Sequence, residues 1–169
     1  PQTNGSFAAV AAGQITAGGV WEWALSGNST PSSFYVQHYS GSSSPTTDRA
    51  RNFLSNYYPY MAICDFSGDG DDEVVLMRNT SGDSSYDLRV YDSPPDTTVF
   101  HTSIGSGWLG VAAGDVDNDG KAEIALSGSS QLRLYDQPEV DAHTVVRSLA
   151  AKGPIAIGVL QGKQSFGVS

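Results

Sequence analysis

The sequence predicts an all-β chain built from repeated units of four antiparallel strands. Three observations predict it. A sixteen-residue stretch recurs without gaps at Val10, Met61 and Val111, so its copies stand 51 and 50 residues apart. Each copy is followed by further apolar runs of strand length, bounded by turns rich in Gly, Asn, Asp, Ser and Pro. No 3.6-residue apolar period persists long enough to compete as a helix.

The three copies read "VAAGQITAGGVWEWAL", "MAICDFSGDGDDEVVL" and "VAAGDVDNDGKAEIAL". Gly19, Gly70 and Gly120 coincide, as do Glu22, Glu73 and Glu123, and Leu25, Leu76 and Leu126. A fourth, worn copy, "PIAIGVLQGKQSFGVS", starts at Pro154. The likeness continues downstream. "LRVYDSP" from Leu88 matches "LRLYDQP" from Leu132, and "FYVQHYS" from Phe34 is a degenerate counterpart with Tyr39 in place of Tyr91 and Tyr135. The third unit then holds four strand-length runs, "LGVAAG", "AEIALSG", "QLRLYDQ" and "HTVVRSLA". Four short strands per repeat of about 40–50 residues is the arithmetic of a β-propeller blade. The first run of each unit is small and apolar, as a crowded central channel requires. The expected blades span about 7–57, 58–107 and 108–152, with a half blade at 153–169. The whole of 1–169 is then one partial β-propeller domain of about three and a half blades.

Bulk composition narrows the function. The chain has 169 residues, enough for one domain with a sizeable core. Nine basic residues against eighteen acidic ones, with no basic cluster, argue against a nucleic-acid partner. No apolar run approaches the roughly 18 residues of a membrane-spanning helix, so no membrane insertion is expected. Cys64 is the single cysteine, which excludes an intrachain disulfide, and it reads as a small buried apolar residue.

The chemistry lies in the loop after the first strand of the second and third units. In "DVDNDGKAE", counted from Asp115 as position one, side-chain oxygens fall at positions one, three, five and nine: Asp115, Asp117, Asp119 and Glu123. Four carboxylates in nine residues repel one another and need a counter-charge. Oxygen ligands on alternate residues of a tight loop suit calcium, a hard cation, better than magnesium, which keeps more of its waters. Lys121, at position seven, can offer only its backbone carbonyl. Gly120, at position six, permits the positive φ that turns the chain around an ion. The second unit repeats the pattern with Asp65, Ser67, Asp69, Asp71 through its carbonyl, and Glu73. Ser67 replaces a charged ligand by a neutral hydroxyl, so this second site is expected to be the weaker. Neither loop is an EF-hand, because position twelve is leucine in both, Leu76 and Leu126, and the flanks alternate as strands do. In the first unit Gln14, Thr16 and Gly18 stand at the aspartate positions, and in the fourth Val159 and Gln161 do, so neither is expected to hold an ion.

These two loops resemble the FG-GAP/VCBS repeats of integrin-α-like β-propellers, whose DxDxDG loop joins the first two strands of a blade. The resemblance covers most of the chain in period but only two loops in motif. It implies a structural calcium ion in each of the two loops, clamping a hairpin rather than acting in catalysis. It also implies a secreted or cell-surface binding or adhesion module with a carbohydrate or extracellular protein ligand. Candidates for ligand contact are the aromatic residues in register at the blade entries, Phe7, Tyr58 and Trp108, which could equally pack between blades. The polar links at 26–33, 78–87 and 127–131 are the expected variable loops, and two of the three N-x-[ST] sequons, Asn28 and Asn79, fall there; the third is Asn4. Alternative readings are a portion of a polysaccharide lyase or hydrolase, and a structural surface-assembly protein. No nucleophile–base motif is present, and His38, His101 and His143 stand alone in sequence. Three and a half blades leave a ring open, so either a second chain or the rest of a longer propeller is expected to complete it.

Overall fold

The computed structural model describes residues 7–15, 21–30, 33–40, 46–54, 57–79, 85–92, 98–136, 143–148, 155–160 and 163–168. Among these there is no helix; the chain is all-β and propeller-like. The first sheet has strands β1 (Phe7–Gly13), β2 (Glu22–Thr30), β3 (Ser33–Ser40) and β4 (Thr46–Leu54). The second has β5 (Tyr57–Cys64), β6 (Glu73–Asn79), β7 (Tyr86–Tyr91) and β8 (Thr98–Gly105). The third has β9 (Trp108–Gly114), β10 (Glu123–Gly128), β11 (Gln131–Tyr135) and β12 (His143–Ser148). A two-stranded sheet follows, β13 (Ile155–Leu160) paired with β14 (Lys163–Val168). Within each sheet every strand pairs with its neighbour in sequence, and every pairing among the described residues is antiparallel. The four runs expected in the third unit are thus its four strands.

The first strands of the sheets pack in succession, β1 on β5, β5 on β9 and β9 on β13. Each sheet therefore offers one face to the sheet before it and one to the sheet after. The period of two along β6 shows the sorting. Val74 and Leu76 face the first sheet, where they share a cluster with Ala24, with Ile15 of the loop after β1 and with Met61 of their own sheet. Val75 and Met77 face the third, where they pack with Ile124, Leu126, Trp108 and Tyr135. A strand buried on both faces reads as a continuous apolar run, not an alternation. β10 shows the result, with all six residues buried. β8, the outermost strand of its sheet, alternates between exposed and buried. Between these two sheets Phe66, Phe100 and Tyr135 form an edge-to-face chain, with ring centroids 5.9 and 6.0 Å apart.

The inner strands come close because small residues allow it. A methyl group on Gly13 would overlap the Ile63 side chain and the Asp72 carboxylate of the next sheet. Gly13→Ala is therefore expected to cost about 1–3 kcal/mol through overpacking. Urea unfolding followed by tryptophan fluorescence measures it, and an unchanged midpoint would show that the first two sheets stand further apart.

Two expectations about the links need correction. β2 runs to Thr30 and β3 starts at Ser33, while Ser129 and Ser130 alone join β10 to β11. The link expected at 127–131 is therefore a two-residue hairpin connection and most of that expected at 26–33 is paired strand, because the strand pairing extends further than the polar composition suggests. Asn28 and Asn79 accordingly lie in paired strand, opposite Phe34 and Tyr86. Asn4 lies outside the described residues.

Candidate metal centre

The two acidic loops connect β5 to β6 and β9 to β10, and they share one backbone course. Position four has a positive φ in both, 79° at Gly68 and 66° at Asn118. Position six does too, 97° at Gly70 and 95° at Gly120. Glycine adopts this conformation without a Cβ penalty, and asparagine tolerates it better than most residues.

The carboxylates hold this course by accepting backbone N–H groups. In the third unit Asn118 N–H donates to Asp115 Oδ1 at 2.6 Å and Gly120 N–H to Asp115 Oδ2 at 3.1 Å. Asp119 N–H donates to Asp117 Oδ1 at 3.1 Å, and Lys121 N–H to Asp119 Oδ1 at 2.9 Å. In the second unit Asp65 accepts from Gly68 and Asp69 through Oδ1 and from Gly70 through Oδ2. Asp69 Oδ1 accepts from Asp71 N–H at 3.0 Å.

The glutamate at position nine is buried in all three units: Glu22 is 4% exposed, and Glu73 and Glu123 are 1% exposed. Glu73 Oε2 accepts from the N–H groups of Phe66 and Ser67 at 2.7 and 3.0 Å. Glu123 Oε2 accepts from Val116 N–H at 2.6 Å. Burying a carboxylate costs free energy unless its oxygens find partners. Burial is accordingly the largest influence on both groups and pushes them above the ordinary glutamate value of 4.5. The loop amides pull the other way, while Asp69 raises Glu73 and Asp117, Asp136 and Asp115 raise Glu123.

One buried oxygen of the third-unit loop has no partner, Glu123 Oε1, while the Ser67 hydroxyl of the second-unit loop is turned to the Glu73 carboxylate. In the third unit ligand oxygens of Asp115, Asp117 and Glu123 all lie within 4.8 Å of one another, a group able to hold a metal ion. Asp119 stands outside this group, turned to the Lys121 amide, and Lys121 would enter only through its carbonyl. In the second unit Asp65, Asp69 and Glu73 do not converge in this way, and their oxygens serve loop amides instead. Position three carries the neutral Ser67, where the third unit has Asp117.

Between the loops lies a cleft of about 310 Å³ on the inner-strand axis. Equivalent positions of three units line it: Gly13, Cys64 and Gly114 ahead of position one, and Trp21, Asp72 and Ala122 at position eight. Position eight is the feature that sequence reasoning missed. Asp72 N–H donates to Gln14 O at 2.9 Å, and Ala122 N–H donates to Asp65 O at 2.8 Å. Each loop thus holds the position-one carbonyl of the loop before it. Asp72 adds a second bond, its Oδ2 accepting Gln14 N–H at 2.5 Å. No residue type marks this position, which carries Trp, Asp and Ala in turn, because the bond uses the backbone. Cys64 is buried beside the cleft, and burial first, then Glu73, Asp72, Asp65 and Glu123, raise its thiol well above the ordinary range.

The aromatic candidates for ligand contact fare differently. Trp108 is 2% exposed. Its indole N–H donates to Ile104 O at 2.8 Å, and the Arg133 guanidinium stacks 4.6 Å from its ring centroid. The ring is a packing element between the second and third sheets and is not presented to solvent, since the bend into β9 turns it inward onto the Ile104 carbonyl. Phe7 lies in β1 and Tyr58 in β5, but their side chains lie outside the described residues. His101 lies in β8 opposite Arg89, with its Nε2 3.3 Å from Asp87 Oδ2.

The raised carboxyls give a pH prediction for the metal-free protein. A folded-state value above the unfolded one favours the protonated fold. The contribution of Glu73 and Glu123 is then complete below about 4.3, the unperturbed glutamate value, and is lost as pH rises through their higher folded values. In chelator, neutralising either group by Glu123→Gln or Glu73→Gln should flatten the fall in melting temperature between pH 4.5 and 7. An unchanged slope in both variants would contradict the assignment.

Residues 65–126 match the model of the FG-GAP-like repeat family, from position one of the second-unit loop to the leucine that closes the third-unit motif. No curated protein matches the chain.

Proposed function

We propose that this chain is a non-enzymatic binding or adhesion module on a β-propeller scaffold, with a structural calcium ion in each of its two acidic loops. The buried, unpartnered Glu123 Oε1 carries the metal reading, because it belongs to a group of converging carboxylates. A buried carboxylate oxygen without a donor is costly, and a cation removes that cost. The donor set fits: all side-chain ligands are oxygens, as calcium requires. Asp115, Asp117, Asp119, Glu123 and the Lys121 carbonyl would hold one ion, and Asp65, Ser67, Asp69, Glu73 and the Asp71 carbonyl the other. The bound ion supplies positive charge that neutralises the loop; the residues themselves fix the hairpin.

The match to FG-GAP-like repeats supports the binding role, with a carbohydrate or an extracellular protein as ligand. The predicted location is the cell surface or the extracellular space, where calcium modules of 10⁻⁴–10⁻³ M affinity are filled. The succession of inner strands β1, β5, β9 and β13 supports a ring completed by further blades, from a second chain or from the rest of a longer propeller. An array of glycans and matrix proteins, probed in calcium and in chelator, tests the reading. Calcium-dependent capture of one ligand class supports it; no capture in either condition sinks the adhesion role.

A further inference from the structure

The Ala122–Asp65 bond joins two loops that the proposed function treats as separate ion sites. We propose that the two sites are positively coupled through it, so that filling either loop tightens the other. This rests on the two-site reading above.

Ala122 stands between Lys121, whose carbonyl would be a ligand, and Glu123, whose carboxylate would be another. Its N–H donates to the carbonyl of Asp65, the first ligand residue of the neighbouring loop. A second contact runs the same way. The Lys121 stem lies over Gly68, where an added Cβ would come 2.8 Å from Lys121 Cγ. Gly68 N–H in turn donates to Asp65 Oδ1 at 2.7 Å. When Lys121 and Glu123 are fixed around an ion, the amide and the stem between them are fixed too. Asp65 is then held at both its carbonyl and, through Gly68, its carboxylate. The second loop, whose carboxylates do not converge by themselves, gains a pre-ordered first ligand. Ordering already supplied by one ligand need not be supplied again by the next, which is positive cooperativity. The opposing effect is repulsion between the two ions, and the sign of the midpoint shift reads which of the two prevails. At the first interface the same staple ends on Gln14, which is no ligand, so it serves packing alone there.

Linkage requires reciprocity in the binding free energies: filling either site must raise the affinity of the other by the same factor. The test is a titration with calcium chloride at 0.15 M salt, followed by amide resonances. Gly68 and Gly70 report the second-unit loop, and Gly120 reports the third. Glu123→Gln keeps an acceptor for Val116 N–H while removing a charged ligand. It should raise the calcium midpoint at Gly68 and Gly70 by about fivefold or more. Asp69→Asn should raise the midpoint at Gly120 by less, because the tighter third-unit loop fills before the weaker second-unit loop. Midpoints at Gly68 and Gly70 that stay within twofold, or tighten, in Glu123→Gln overturn the coupling and leave two independent sites. Wild-type resonances that ignore millimolar calcium overturn both the coupling and the two-site reading. Should Glu123→Gln fail to fold, Asp117→Asn replaces it, since Asp117 is an exposed member of the same third-unit group and the same Gly68 and Gly70 midpoints are read.

Discussion

Saturating calcium should raise the melting temperature of this chain by about 5–11 °C for each filled loop, and chelator should reverse it. A ligand at 100 times its dissociation constant stabilises the folded state by about 2.7 kcal/mol per site. For a chain of this size, 1 kcal/mol moves the midpoint by about 2–4 °C. The gain has an identifiable source. Asp115, Asp117 and Glu123 converge, and the fold holds them together against their own repulsion. Glu123 Oε1 is buried without a donor. Both costs fall when a cation occupies the group. Glu123→Gln should remove roughly half of the calcium-induced shift. A melt identical in calcium and chelator would reduce the aspartates to turn residues that cap their own loop amides, which they also do.

Trp108→Ala should destabilise the protein by about 3–5 kcal/mol in chelator, a large fraction of the 5–15 kcal/mol that holds a typical domain. The indole is 2% exposed in the core between the second and third sheets. Its removal opens a cavity, takes the shorter of two side-chain hydrogen bonds from the Ile104 carbonyl and strips Arg133 of its stacking partner. Arg133 Nη1 also donates to Ile104 O at 3.4 Å, so the three residues form one unit. Trp108→Phe should cost less, because it keeps ring volume and loses only the N–H bond. Urea unfolding at fixed m-value reads both. A loss below about 1 kcal/mol for the alanine variant would contradict the packing role and return the ring to the candidates for ligand contact.

Much of this structure is legible in the sequence because its period is. Val10, Met61 and Val111 open three equivalent segments, and each folds as the start of a four-stranded sheet. The apolar run of β10 and the alternation of β8 follow from their depth in the stack. The tight loops are legible for the same reason: alternate acidic residues before a glycine prescribe a turn, and the positive φ at Gly70 and Gly120 bears that out. Two things were not legible. Composition cannot place the end of a strand when serine and asparagine continue the ladder, as Asn28 does opposite Phe34. Nor can it show a backbone bond between repeats, because the Ala122 amide carries no side-chain signature. Trp108 is the intermediate case. An aromatic ring at a blade entry fits a rim or a core equally, and only the inward turn after Ile104 decides.

The central claim is that the converging carboxylates of the third-unit loop, with their neighbours in the second, hold calcium. A crystal structure grown in calcium chloride, with anomalous difference maps, tests it most directly. The account predicts one peak within the Asp115–Glu123 loop and a second, of equal or lower occupancy, within Asp65–Glu73, each ringed by six to eight oxygens at about 2.3–2.6 Å. Glu123 Oε1 should be among the first set and Ser67 Oγ among the second. Loops that carry only water at millimolar calcium, with Glu123 Oε1 still unpartnered, would contradict it.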